Sequence, residues 1–513
     1  GVSDLDRAPI RPGDEVEPPC AADPGEVVDE PAPLTLAQLE AAMADAEARA
    51  DEPPEEEAAT PEPAVPSTEA EAILCYFGTA LTEEQVLFAR ARAAVEDLAL
   101  FGSMRRPLAE QGWAGRAETE RRLLARVDAI AACGDGVLPA LVSSLEERPV
   151  PDPELTWALV FLFGSLSGDD AAEQAMRLAR IAPLDVDGMR EAVSDALALA
   201  PHPEVTPAVQ RWLRDSSPEH RAAAVTTLRR RGALTSEQAT AAARDADPRV
   251  AVAGATALRA SVGPIDPALF RDLARGSQED LVRAALESAV IRRSPVAPWR
   301  ATQLVEEGRP GFANAALILA IASGPESLEV LREAARKSAA AIEALGWYGH
   351  PGTVEDLLSL LEGDTAKPAL EALQLITGAS LTDADPDPGY EKGKEPFIAM
   401  EGPIPEDVIV TTKPEAWRTW WEKHGKNARP GARYRFGHVW SLADDLRQIE
   451  ARLATRAHRW PAYLELCARS GANLPFDPDA FVTHQRRQIC DWSAQLAPRR
   501  GAPGNWPVHL ERS

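Results

Sequence analysis

The chain has 513 residues, 45% of them apolar, and a formal net charge of −26. That length exceeds one compact core, so two to four domains or an elongated architecture are expected, and a chain this acidic is poorly suited to gripping nucleic acid along its length. Its longest apolar run, "ANAALILAIA" (313–322), falls far short of the roughly 18 residues of a membrane span.

The charge is uneven. Residues 1–70 hold 19 Asp/Glu against 3 Arg, while residues 423–513 hold 15 Lys/Arg against 8 Asp/Glu. The first stretch also carries 12 prolines and runs such as "DEPPEEEAATPEP". It cannot bury enough apolar surface to offset its ordering entropy, so residues 1–66 are expected to be a disordered acidic arm. One short amphipathic helix is predicted inside it, at 34–50, where Thr35 and Gln38 form a T-x-x-Q capping box. Five widely spaced cysteines without a C-x-x-C argue against a disulfide framework and for a reducing cytoplasm. No signal-peptide pattern is read at the start.

From Ser67 the pattern turns helical, and 67–150 reads as an N-terminal helical region. Thr82 and Gln85 supply another capping box. In "ETERRLLARVDAIAACGDGVLPALVSSLEE" (118–147) two amphipathic runs meet at Gly134-Asp135-Gly136. "SSPEHRAAAVTTL" (216–228) and "ADPRVAVAGATAL" (246–258) superpose with a shift of 30 residues, and "QEDLVRAALESAV" (278–290) continues the series. Each unit is an Asp/Pro-type start, a small-residue helix, a break and a second apolar helix. One such hairpin cannot bury its own apolar stripe, so stacked copies are the stable solution, and 151–378 reads as an α-solenoid.

A long acidic Pro/Gly linker (379–413) follows. The region 414–513 is basic and Trp-rich: Trp417, Trp420 and Trp421 share a helix face, and seven of the twelve tryptophans lie beyond residue 413. This region is expected to form its own small helical core or to cap the solenoid. One hypothesis for the two charged ends is that the acidic arm folds onto the basic tail.

The unit pattern "LVRAALESAV", with "ALGWYGHPGTVEDLLSLL", resembles HEAT repeats of the short bacterial type, also found in phycobilin-lyase-type proteins. The "ITGASL" ending, the acidic linker, the "TWW" helix and "GARYRFG" together resemble a narrower bacterial HEAT-repeat family, one with no assigned activity, whose genes lie beside type VI secretion genes. That resemblance implies an all-α solenoid of short HEAT-like hairpins, with secretion-apparatus or effector proteins as partners. In such repeats His350 occupies a turn position, so it reads as a hinge rather than a catalytic base.

No G-x-G-x-x-G, Walker A, H-E-x-x-H or G-x-S-x-G pattern is present, and the eight histidines are scattered. No catalytic residue, metal site or cofactor is read. Two function classes follow. The first is a non-enzymatic protein-binding scaffold in the cytoplasm. The second is a HEAT-fold enzyme acting on nucleic acid (base-excision type) or on a prosthetic group (lyase type). A basic groove with a buried acid favours the enzyme, and a mixed or acidic groove with apolar patches favours the scaffold. Candidate protein-binding residues are Arg221, Arg283 and Asn314 in the solenoid. In the tail they are Arg433, Arg435 and Trp440, where basic and aromatic residues interleave. The arginines of "LRRRG" (228–232) and "VIRRSP" (290–295) are expected to serve neighbouring helix ends and surface acids rather than a nucleic-acid stripe.

Overall fold

The computed structural model describes residues 82–106, 112–309, 312–382, 410–451, 454–498, 504–506 and 508–509. The acidic arm, its predicted helix at 34–50 and most of the linker lie outside these residues. The described residues form an α-solenoid, with one two-residue β-hairpin as their only paired strands. Among them no single helix is long and apolar enough to cross a membrane.

The stack opens with α1 (Glu83–Met104), α2 (Arg116–Ala132) and α3 (Leu138–Glu146). Gln85 N–H donates to Thr82 Oγ1 (3.2 Å) and Thr82 N–H to Gln85 Oε1 (3.0 Å), so the predicted capping box starts α1. Next come α4 (Pro153–Phe163), α5 (Asp169–Ile181), α6 (Met189–Leu199), α7 (Val205–Trp212) and α8 (Pro218–Arg230). The series continues with α9 (Ser236–Ala243), α10 (Pro248–Ala257), α11 (Pro267–Leu273), α12 (Glu279–Ile291) and α13 (Val296–Glu307). It ends with α14 (Phe312–Ala322), α15 (Leu328–Ala335), α16 (Ala339–Tyr348), α17 (Val354–Leu358) and α18 (Ala366–Thr377).

Even-numbered helices from α4 to α18 form one layer, each packed along its predecessor. The odd-numbered helices cover them and touch one another less, so the stack bends toward the even layer. The 30-residue shift is therefore physical: α8 and α10 begin at Pro218 and Pro248, each after a capping residue. Ser217 Oγ accepts from His220 N–H, and Asp247 accepts from Arg249 N–H. Even-layer helices such as α4 and α14 are buried on nearly every face, which fits their continuous apolar sequences.

His350 is the hinge expected of it. Its Nδ1 accepts from Gly352 N–H (3.0 Å) and its ring stacks on Tyr348, between α16 and α17.

The C-terminal region contributes α19 (Pro414–His424), strands β1 (Tyr434–Arg435) and β2 (His438–Val439), and helices α20 (Leu442–Glu450), α21 (Arg456–Ser470) and α22 (Val482–Leu496). Phe436 and Gly437 both take positive φ, the pairing that a two-residue hairpin turn requires. The hairpin lies on α18, α21 lies on α12 and α14, and α22 reaches back to α2. The tail thus runs along the even layer from the last hairpin to the first.

Close packing depends on glycine at Gly254, where a Cβ would meet the Ala243 backbone nitrogen at 2.2 Å. G254A must push α10 off α9. It is expected to lower stability by about 2 kcal/mol in denaturant unfolding, without changing helix content in the native baseline.

Candidate functional site: an arginine-lined groove beside a buried tail

The six residues proposed as partner contacts fall in two groups. In the tail, Arg433 and Arg435 are fully buried and Trp440 is 5% exposed. Their interleaved pattern is a core motif, not a surface. Arg433 Nη2 and Arg435 Nη2 both donate to Glu465, the latter at 2.7 Å, and Arg469 Nε donates to the same carboxylate at 3.2 Å. The same guanidiniums reach helix ends. Arg433 donates to Trp347 O (2.9 Å) and Tyr348 O (3.1 Å), Arg435 to Trp347 O (3.1 Å), and Arg469 to Ser323 O (2.9 Å). Those carbonyls close α16 and α14, where cations are favoured. Arg433 also lies over the Trp440 ring at 4.7 Å. The hairpin adds backbone donors: Tyr434 N–H to Gly349 O (2.7 Å) and Phe436 N–H to Leu375 O (2.8 Å). Gly349 and Gly378 cap α16 and α18 with positive φ, and a Cβ on either would strike the hairpin backbone.

In the solenoid, Arg221 is an inter-repeat clamp. Its Nε and Nη2 grip Asp245 at 3.0 and 2.9 Å, and Nη1 donates to Asp215 O at 3.0 Å. Asn314 Nδ2 donates to Glu287 at 3.2 Å. Arg283 is exposed and pairs with Asp280 one turn away at 2.7 Å. None of the three joins the tail residues in one site. Arg433, Arg435 and Trp440 are inaccessible to a partner because all three are buried inside the fold.

The open feature of the even layer lies elsewhere. A groove of about 360 Å³ runs between α6, α8 and the tail segments at 456–459 and 478–479. Six arginines line it: Arg106, Arg190, Arg229, Arg230, Arg456 and Arg459. The carboxylates in its wall are Glu191, Asp195 and Asp479. A second hollow of about 190 Å³ continues it along α6, α8 and α10, sharing Arg190, Glu191, Thr226 and Arg229.

At the floor, Asp195 is 2% exposed. Its Oδ2 accepts from Arg105 Nη2 (2.5 Å) and Trp157 Nε1 (2.7 Å), and lies 3.2 Å from Arg106. Its Oδ1 accepts from Arg230 Nη1 at 2.5 Å. Burial alone would raise this carboxyl, but Arg105, Arg230 and Arg106 hold it far below the usual range. Arg230 Nε also holds Asp477 (2.9 Å), and Arg105 and Arg230 both donate to Asp479 O. One buried acid thus ties α1, α4, α8 and the tail together.

Two wall arginines lack a carboxylate. Arg459 stacks 4.0 Å above Trp113 and donates to Ile449 O and Gln485, and burial pushes it down to about 9. Arg229 is lowered to about 9 by burial and by Arg259, with Asp477 opposing. Both remain cations at neutral pH.

The sequence signal for this site was "LRRRG". Its neighbours do serve helix ends and acids: Arg231 donates to Leu197 O and His202 O, Arg292 to Ser261 O and Arg293 to Gly471 O. Arg229 is the exception. Arg190, Arg456 and Arg459 carried no such signal, because only the tail's return brings them together.

Two outcomes test these contacts. E465Q leaves three buried guanidiniums without their shared anion and is expected to cost about 3 kcal/mol or more. Amide exchange across 433–470 should quicken while 218–258 keeps its protection. Glu120, beside the groove, accepts from Val482 N–H at 2.7 Å, and burial raises it from 4.5 to about 7 against the pull of that bond and Arg105. Its folded value lies above the unfolded one. Ionisation therefore costs stability, a cost absent below pH 4.5 and complete above about pH 7. E120Q should remove up to about 3 kcal/mol of that pH dependence, seen as a smaller fall in Tm from pH 5 to pH 8.

No protein-family model matches the chain, and no curated protein matches it. Several solved structures align with part of it. YibA of E. coli, an X-ray structure, is 14% identical with a TM-score of 0.29, covering 58% of this chain and 97% of that one. An engineered protein is 18% identical with a TM-score of 0.23, covering 59% and 87%. At those scores neither likeness carries an argument, and the fold rests on the chain's own helices.

Proposed function

We propose that the chain is a non-enzymatic scaffold that holds an anionic segment of a protein partner in the arginine groove. The observation that carries this reading is the imbalance of its walls, where six guanidiniums face three carboxylates. Side chains of Arg106 and Arg456 stay open to solvent at 45% and 56%, so the groove has an accessible cationic rim. Its walls are helices locked by the Asp195 hub, which suits a rigid receptor.

Basic walls and a buried acid are also what an enzyme reading expects. Asp195 argues against that role, since three guanidiniums and an indole N–H already occupy both its oxygens. A nucleic-acid enzyme also needs aromatic faces for bases. Trp113, the aromatic residue in the groove wall, is 4% exposed and lies under Arg459.

The sequence resemblance supplies the setting proposed for this scaffold: the bacterial cytoplasm, beside a contractile secretion apparatus whose sheath, spike or effector proteins are the partners. Affinity capture with the full chain, compared with R106E/R190E/R456E, tests it. Secretion-apparatus proteins enriched by the wild type should be lost from the variant. Capture unchanged by charge reversal, or recovery of DNA alone, would overturn the reading.

A further inference from the structure

We infer that Arg229, Thr226 and Arg190 form a subsite for a phosphoryl group carried by the protein partner. This rests on the groove reading and assigns the chemistry of its deepest contact.

Arg229 lies in the wall shared by both hollows. Among the described residues it has no hydrogen-bond or ion-pair partner, unlike its neighbours Arg230 and Arg231. Five N–H donors are therefore unused on a half-buried cation. None of its nitrogens is sealed from solvent without a partner, so these donors open onto the hollows and are free to meet a ligand there. Thr226, three residues earlier on the same helix face, also lines both hollows. Its hydroxyl has no hydrogen-bond partner among the described residues, whereas Thr156, Thr302 and Thr377 spend theirs on the carbonyl four residues back. Arg190, across the groove on α6, bonds only its neighbour Glu191.

The groups facing Arg229 from other elements do not neutralise it. Arg259 and Arg230 add positive charge. Asp477 and Asp479 offset it in part, but Asp477 is held by Arg230 and Asp479 by Arg456. The donor count then selects the ligand. A carboxylate offers about four lone-pair sites, fewer than Arg229 and Thr226 alone can fill. A phosphoryl group brings three strong acceptor oxygens and close to two negative charges. Arginine forks fit that group in bidentate fashion.

The test uses the full chain with O-phospho-L-serine as probe and glutarate as the dicarboxylate comparison, both followed by titration calorimetry. Phosphoserine is expected to bind the wild type. R229M should weaken it about tenfold or more and T226V to a smaller degree, while R283Q, away from the groove, leaves it unchanged. Ligand-free R229M should melt about 1 °C or more above the wild type, because a partly buried cation crowded by Arg259 and Arg230 is gone. That shift also shows the variant is folded. Inorganic phosphate competing as well as phosphoserine supports the same subsite chemistry. Glutarate binding as tightly as phosphoserine would assign a carboxylate and overturn the inference, as would tighter binding of oligo-dT. Unchanged phosphoserine affinity in R229M, or none in the wild type, would also overturn it. The scaffold reading then stands or falls separately, on whether R106E/R190E/R456E loses its captured proteins.

Discussion

A single buried carboxylate, Glu465, fixes how the solenoid and its tail become one body. Three guanidiniums converge on it, and each also touches a carbonyl: two close α16, one follows α14 and one belongs to Trp506. A buried charge cluster of this size would be costly if paired only within itself. Here the partial negative charge of two helix ends, added to Glu465, supplies the compensation that one anion cannot. Asp445 sits beside it, and burial together with Glu465 pushes its carboxyl well above the usual range.

Asp195 repeats the device at the other end of the tail. It gathers Arg105, Arg106 and Arg230, and through the two that are buried it holds the backbone at Asp479. A tail anchored at both ends of a curved stack bridges the helices between the anchors. At α12 and α14 it is seated directly by α21. At α6, α8 and α10 it leaves the arginine groove. The open space is therefore a consequence of where the two anchors lie. In its wall Arg229 has no hydrogen-bond or ion-pair partner among the described residues, and its donors stay open to the groove, where a ligand can use them.

Much of the solenoid was legible because its signals are local. The capping box at Thr82, the Asp/Pro starts at Pro218 and Pro248, and the alanine faces of α8 and α10 lie within a turn or two of what they control. The candidate contacts were less legible for the opposite reason. "GARYRFGHVW" interleaves cations and aromatics equally well for a surface patch or for a buried cation–π core. The difference is decided by Trp347, Tyr348 and Glu465, tens of residues away. Arg221 looked like a groove residue because the Asp245 it grips belongs to the next repeat. Periodicity shows that repeats stack, but it does not show which side chains the stacking consumes.

The setting of the groove in a chain of net charge −26 sharpens what it can recognise. Screening limits exposed charges to about 8–10 Å at physiological salt, so an anion at a distance meets no strong attraction from this protein. Long-range steering, the usual benefit of a basic surface, is weak here. Attraction begins only when the anion is within reach of Arg106, Arg190 and Arg456, and it strengthens deeper in the groove near Arg229 and Arg459. A long polyanion would bring many charges that this one groove cannot pair. A protein segment carrying one anionic group on an otherwise neutral backbone would not. The same charge pattern that disfavours a nucleic-acid backbone thus favours short-range recognition of a single anionic side chain, with specificity set by donor geometry rather than by net charge.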